Sequence, residues 1–280
     1  MADYAHPEAL VSTDWLEKHL SDSDLAIVEV DEDTTAYDKG HIPNAIGINW
    51  LTELHDHPRR EFVSAEALAK LLGSKGISSD QTIVLYSGNN NWFAAYAYWL
   101  LKYRGASRLK LLNGGRKKWE LESRPLVQEQ PNRSATTFEL GSPNEGLRIF
   151  RDEVLQRAAS GGEAWVDVRS PEEFRGELLA PPHLPQEQAQ VPGHIPGAAN
   201  ITWSKAVNED GTFKSPEELR KLYEPEGITP DRDVVAYCRI GERSSHSWFV
   251  LAELLGYPRV RNYDGSWTEY GSLVGVPVEK

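Results

Sequence analysis

The residue in this chain best suited to do chemistry is Cys238, the single cysteine among 280 residues. It stands in Val234-Val-Ala-Tyr-Cys-Arg-Ile-Gly-Glu-Arg-Ser-Ser-His246, where an apolar strand-like run stops at the sulfur and a helix-like run begins beyond it. A thiol at a strand tip, followed by a Gly-containing loop and a helix N-terminus, faces backbone N–H groups and the positive end of a helix dipole. Both favour the thiolate, which is the nucleophilic form. A lone intracellular cysteine is more often a small buried hydrophobe, so the surrounding pattern has to decide.

Acidity alone contributes little. A thiol with a pKa of about 8.5 is ~3% thiolate at pH 7, and lowering that pKa by two units raises the fraction roughly 25-fold. The same change weakens the sulfur as a nucleophile roughly six- to tenfold. The larger effect expected of such a loop is positioning: N–H groups and Arg243 holding an anionic donor in line with the sulfur and stabilising its departing anion.

The elements that would position this loop occur twice. Gly40-His-Ile-Pro-Asn-Ala45 returns as Gly193-His-Ile-Pro-Gly-Ala198, and Trp50 and Trp203 follow at the same spacing. Ile83–Tyr86 mirrors Val234–Tyr237, Tyr98–Tyr103 mirrors Ala252–Tyr257, and Asn113-Gly-Gly-Arg mirrors the segment ending Gly265-Ser-Trp267. Ala26–Val30 pairs likewise with Ala164–Val168. The second copy carries an extra Pro- and Gln-rich stretch, Leu178 to Val191, read as a surface excursion. In each copy short β-rich runs alternate with helical patterns, the order of a parallel sheet with helices on both faces. In the second copy the pattern predicts strands at Ala164–Val168, Ala199–Thr202, Val234–Tyr237 and Val260–Tyr263. It also predicts helices at Pro216–Tyr223 and Ser244–Leu255, the latter capped by its serines. The polar stretch Gln128–Gly146 reads as a linker. Aligning Tyr86 with Tyr237 puts Ser87 at the cysteine position, in a loop about three residues shorter. The first copy therefore reads as scaffold, and the reactive loop belongs to the second, facing the cleft between the halves, with the Cys238 sulfur accessible at the mouth of a small amide-lined bowl.

The segment Cys238-Arg-Ile-Gly-Glu-Arg-Ser244, the paired Gly-His-Ile-Pro segments and the terminal Gly-Ser-Trp element together resemble the tandem-domain rhodaneses, specifically the bacterial thiosulfate sulfurtransferases. The resemblance implies an α/β fold of two tandem rhodanese-like domains, each a central, mainly parallel sheet with helices on both faces. Residues 1–140 would form the domain without the cysteine and 141–280 the catalytic one. It further implies that Cys238 takes the outer sulfur of thiosulfate, releases sulfite, and passes the persulfide sulfur to cyanide or another thiophilic acceptor, with no cofactor. Arg243 is then expected to bind the donor. The rest of the loop, Arg239, Ile240, Gly241, Glu242 and Ser244, is expected to line its site, with the Glu242 side chain turned away from a dianionic donor. Related enzymes aim an arginine at the substrate shortly after the Asp-x-Arg of the second copy. In this chain Glu173 occupies that position, and Arg175 is the candidate substitute. Asp167 and Arg169 read as a structural ion pair at a strand end. The mercaptopyruvate branch usually follows its cysteine with Gly and a small hydroxyl residue, so Arg239-Ile240 favours thiosulfate. A cysteine phosphatase would need five residues between Cys and Arg, where this chain has four; a persulfide sensor that does not turn over is the remaining alternative.

Composition bounds the rest. A length of 280 residues suggests two domains of about 140 each. A single cysteine permits no internal disulfide and no paired-cysteine metal site, and fits a reducing cytoplasm. The N-terminus lacks the order of a secretion signal, and the longest apolar run, Trp92–Leu101, is too short to span a bilayer. A formal charge of −12 argues against nucleic acid. The expected partners are a small anionic sulfur donor and a thiophilic acceptor, with no membrane and no nucleic acid, the chain being a monomer or weak oligomer. His41 and His194, present in both copies, are expected to hold their turns, and His55 and His57 lack companions for a metal. His246 is a weak candidate for facing the cleft. Trp92, Trp119 and Trp267 are candidates for shaping it.

Overall fold

The computed structural model describes residues 4–180 and 188–280. The chain divides into two compact units. The N-terminal unit comprises Glu8–Asn144 with Glu209–Thr212. Among the described residues the C-terminal unit comprises 4–7, 145–180, 188–208 and 213–280.

The N-terminal unit is built on a five-stranded parallel sheet in the order Leu10–Val11, Leu109–Leu112, Thr82–Tyr86, Leu25–Asp31, Ala45–Asn49. All seven residues of Leu25–Asp31 are buried, as expected of a central strand covered on both faces. The apolar run noted in the sequence is the helix Trp92–Tyr103, in which only Trp92 and Lys102 escape full burial. It is long because it is a core helix, and no helix among the described residues is long and apolar enough to cross a membrane.

The C-terminal unit repeats the plan with four parallel strands in the order Val260–Tyr263, Val234–Tyr237, Ala164–Asp167, Ala199–Asn200. Its core gathers Ile149, Val154, Trp165, Ile195, Val235, Tyr237, Tyr263 and Trp267; each large apolar side chain sunk there contributes roughly 1.5–3 kcal/mol. The helix Pro216–Tyr223 matches its sequence-predicted bounds and opens on a capping box between Ser215 and Glu218. Of the stretch Leu178–Val191, residues 181–187 lie outside the described residues, while Ala180 and Ala189 on either side are buried.

The repeated segments do the same work in both units. Tyr86 sits beside Glu29 in the sheet register and Tyr237 beside Asp167. Each tyrosine oxygen accepts the N–H of the isoleucine in the Gly-His-Ile-Pro turn, Ile42 and Ile195, at 3.1 Å. Both turn histidines are structural: His41 bonds the Tyr37 carbonyl at 2.9 Å and stacks on its ring, and His194 bonds the Phe174 carbonyl at 2.8 Å and stacks on that ring.

The guanidinium that completes each network comes from a different place. In the C-terminal unit Arg169 pairs with Asp167, confirming the ion pair read from the sequence, and donates to the Gly193 carbonyl at 2.7 Å. In the N-terminal unit the position matching Arg169 is Asp31, and Arg116 instead pairs with Glu29 and donates to the Gly40 carbonyl at 2.7 Å. Trp267 stands where Arg116 would be, since the Trp267 N–H bonds the Cys238 carbonyl as the Arg116 N–H bonds that of Ser87. Its ring carries the Arg169 guanidinium 4.9 Å from the centroid, a cation–π contact that holds the charge over the same site.

Asp31, displaced into the first unit's loop, accepts the Gly88 N–H at 2.8 Å. Burial, with the nearby charge of Glu29, pushes its carboxyl up to about 6 despite that bond. A folded-state pKa above the unfolded value means that the carboxyl's contribution to stability is complete below about pH 4 and is lost as pH rises through about 6. Asp31→Asn is therefore expected to flatten the stability profile across that window and to gain ~2 kcal/mol at pH 7, read from urea unfolding at several pH values.

Candidate active site

Cys238 lies immediately beyond the strand Val234–Tyr237, at the carboxyl end of the sheet, where open α/β folds place their sites. The helix that follows runs Glu242–Phe249 and continues as a π-helical turn, Val250–Leu254. It starts two residues before the sequence-predicted start. The first unit's helix begins at Trp92, after Asn89–Asn91, all three of which adopt left-handed conformations. The first loop is therefore not the shorter one, because the second helix reaches back to within four residues of the sulfur.

The serines expected to cap this helix sit inside it. The N-cap is Gly241, which has no side chain to offer. The Cys238 sulfur takes that role: Sγ accepts the Gly241 N–H at 3.1 Å, and the Ser244 N–H also bonds it. The loop amides thus point at the sulfur, as the sequence implied. Gly241 is required on two counts, a φ of 98° and a site where a Cβ would stand 2.7 Å from Asp264 Cα. Asp264 is fixed in turn by both its oxygens on Arg148, each at 2.8 Å. Ser244 donates to Asn262 Oδ1 at 2.6 Å, Ser245 donates to the Gly241 carbonyl at 2.8 Å, and Asn262 Nδ2 donates to that carbonyl and to Ser245 Oγ. The loop is tied from beneath by one asparagine.

Two expectations about the sulfur are corrected. It was expected to be accessible; it is 0% exposed. Of the loop 238–243 only Ile240 is partly exposed. Nor is the thiol acidified. Burial pushes it up, the Glu242 carboxylate pushes it further, and Arg243 with the Ser244 N–H offsets only part of this. A loop that solvates a buried anion still costs more than water would.

The charged residues also differ from expectation. Arg243, expected as an open hook for the donor, is buried, and its two terminal nitrogens bind Glu173 at 2.8 and 3.0 Å. Glu173 is held by the capping box of the helix Pro171–Phe174. Burial raises its carboxyl, but the hydrogen bonds and charge of Arg243 win and hold it below the usual carboxylate range. Glu173 therefore does not leave a gap for Arg175. Arg175 lies half exposed on the surface, its guanidinium on Glu177 at 2.8 and 2.9 Å, and does not substitute for the missing arginine. Glu242, expected to turn away, is buried with Oε2 3.5 Å from the sulfur. Arg239 is buried, its carbonyl bonded by the Thr268 N–H. His246 is buried between Trp203 and Phe213, at centroid distances of 5.1 and 5.0 Å. Trp119 and Trp267 are core residues, and Trp92 stacks on Phe93. No group of three or more His, Cys, Asp or Glu residues suited to a metal occurs among the described residues.

Sequence reasoning missed Ser266. It is held at a φ of 52°, the position where the first unit has Gly115. Its Oγ accepts the Cys238 N–H at 3.0 Å and donates to the Tyr263 carbonyl at 2.7 Å. A serine where glycine is the easy choice was the signal available in Gly265-Ser-Trp267. Ser266→Ala keeps the strained backbone but orphans a buried N–H, so a loss of about 1–3 kcal/mol is expected in thermal unfolding. Ser266→Gly should lose roughly 1 kcal/mol less, because relief of the left-handed strain offsets part of it.

Comparison with known proteins places this geometry. The Rhodanese-like domain family matches residues 12–122 and again 150–273. This chain belongs to the rhodanese family. Its two rhodanese domains have close relatives over their full length. A Saccharopolyspora erythraea protein named "Putative thiosulfate sulfurtransferase" is 62% identical over 272 residues, covering 97% of this chain and 96% of that one. The sulfur carrier protein TtuD of Thermus thermophilus is 58% identical over 280 residues, covering 99% and 98%. Among solved structures, YnjE superposes with a TM-score of 0.84 at 26% identity, covering 99% of this rhodanese and 69% of that chain. The anaerobic ergothioneine biosynthesis enzyme of Chlorobium limicola superposes with a TM-score of 0.86 at 24% identity, covering 99% and 71%, which shows the shared fold.

Proposed function

We propose that this rhodanese is a thiosulfate sulfurtransferase that works through a Cys238 persulfide. The observation that carries the reading is the sulfur's position as acceptor of the Gly241 and Ser244 N–H groups at the start of a helix. In the reaction, Sγ forms a bond to the outer sulfur of thiosulfate. The S–S bond of the donor breaks with its electron pair on the departing sulfite. A thiophilic acceptor such as cyanide then takes the outer sulfur, and the pair of the broken S–S bond returns to Sγ. The names of the relatives from Saccharopolyspora erythraea and Thermus thermophilus support sulfur transfer and sulfur carriage respectively.

The loop residues divide the work. The amides of Gly241 and Ser244 stabilise charge on the sulfur. Arg243 contributes its charge from beside Cys238 while Glu173 holds its guanidinium. Ile240, the partly exposed residue of the loop, offers the donor a contact, while Arg239 adds its charge from a buried position. Thiocyanate formation from thiosulfate and cyanide tests the reading, with 3-mercaptopyruvate as competing donor. Catalytic thiocyanate production with a preference for thiosulfate is expected; a chain that gains sulfur but never releases it would instead be a sensor.

A further inference from the structure

The buried carboxylate beside the sulfur is unused by this scheme. Among the described residues the Glu242 side chain makes one hydrogen-bond contact, Oε2 accepting from Cys238 Sγ at 3.5 Å. Its other oxygen, Oε1, has no hydrogen-bond partner among the described residues and lies 3.9 Å from Arg243 Nε. Arg243 does not neutralise it by a close pair, because both terminal nitrogens of that guanidinium are given to Glu173 on the helix Pro171–Phe174. The other charged groups around the loop are Arg239, which is buried within it, and Asp264, which packs on Gly241 and is paired with Arg148. A carboxylate kept 1% exposed with one oxygen unsatisfied is costly.

We propose that Glu242 is a catalytic residue that takes the Cys238 proton as the sulfur attacks and returns it when the persulfide is discharged. The proposal rests on the sulfurtransferase reading above. In the first half, the S–H bond breaks with its pair left on Sγ, and an O–H bond forms at Glu242 Oε2. Sγ bonds the donor's outer sulfur and sulfite departs with the pair of the donor's S–S bond, leaving Cys238–S–S⁻ beside a neutral carboxylic acid. In the second half, the acceptor's lone pair bonds the outer sulfur, the persulfide bond breaks with its pair on Sγ, and Sγ takes the proton back from Glu242. The Cys238–Glu242 pair then carries one negative charge at every resting stage. A site closed to water neither releases a proton to solvent nor accumulates a second buried anion.

The test compares wild type, Glu242→Gln and Glu242→Asp in thiocyanate turnover and in titration of the thiolate ultraviolet absorbance. Gln removes the negative charge, so the Cys238 thiolate should form at lower pH while turnover falls on the order of a hundredfold. Asp should restore part of the turnover and the shape of the wild-type pH profile. Glu242→Gln turnover within about twofold of wild type across the pH range would overturn the proposal. Lost turnover with an unchanged thiolate titration, or no rescue by Asp, would overturn it equally, since either marks a structural defect. Failure of the sulfurtransferase reading shows separately, as a wild-type protein that gains no sulfur from thiosulfate.

Discussion

Cys238→Ser should abolish thiocyanate production completely and should gain no mass when mixed with thiosulfate, while the wild type gains one sulfur atom. Serine is close in size and its oxygen can still accept the Gly241 N–H, so the loop should keep its shape and the protein its stability. What disappears is the chemistry: an alkoxide is inaccessible at neutral pH and forms no persulfide. The expected loss is at the detection limit rather than a fraction, measured by intact mass spectrometry and steady-state assay. Residual sulfur gain by the serine variant would place the nucleophile elsewhere, and this chain has no second thiol to offer.

The second large effect is expected on stability. Removing the Glu173 carboxylate takes away both hydrogen bonds to the terminal nitrogens of the buried Arg243 guanidinium, and breaking one side of a buried pair costs about 3–5 kcal/mol. Glu173→Gln should lower the melting temperature of the C-terminal unit by roughly 10 °C. Glu173→Gln with Arg243→Gln together should cost less than the sum, because the second change removes the stranded charge. The sign with pH follows from the depressed carboxyl. Its stabilisation is present above the unfolded value of about 4.3 and is lost as pH falls through the lower folded value. The wild type should lose stability in acid along a limb that Glu173→Gln lacks. Equal acid limbs in the two proteins would refute the assignment.

The contrast between what was legible and what was not follows sequence separation. The duplication, the parallel strands and the place of Cys238 at a strand tip show in the sequence because each is a local pattern or a repeat of one. The turn histidines were assigned correctly because they occur in both copies while the thiol does not. Asp167 and Arg169 were paired correctly because they are two residues apart at the end of one strand. Glu173 and Arg243 are separated by 70 residues, and only the folded chain brings the capping box of one helix against the first turn of another. Glu242 was misread because a carboxylate beside an anionic donor looked unfavourable, whereas the helix starts early and its first turn has to face the sulfur. The raised thiol has the same origin: sequence shows the amides that solvate an anion but not the depth at which they do so.

The exchanged arginine has a consequence for the history of the gene. Each repeat needs one guanidinium over its buried carboxylate, supplied by Arg116 in the first and by Arg169 in the second. A crossover joining the Glu29–Asp31 strand end to the Gly265-Ser-Trp267 corner would encode no such cation; the reciprocal recombinant, joining Arg169 to Arg116, would encode two. A gene-conversion tract ending between these positions would therefore leave the encoded chain one guanidinium short or give it a surplus buried one.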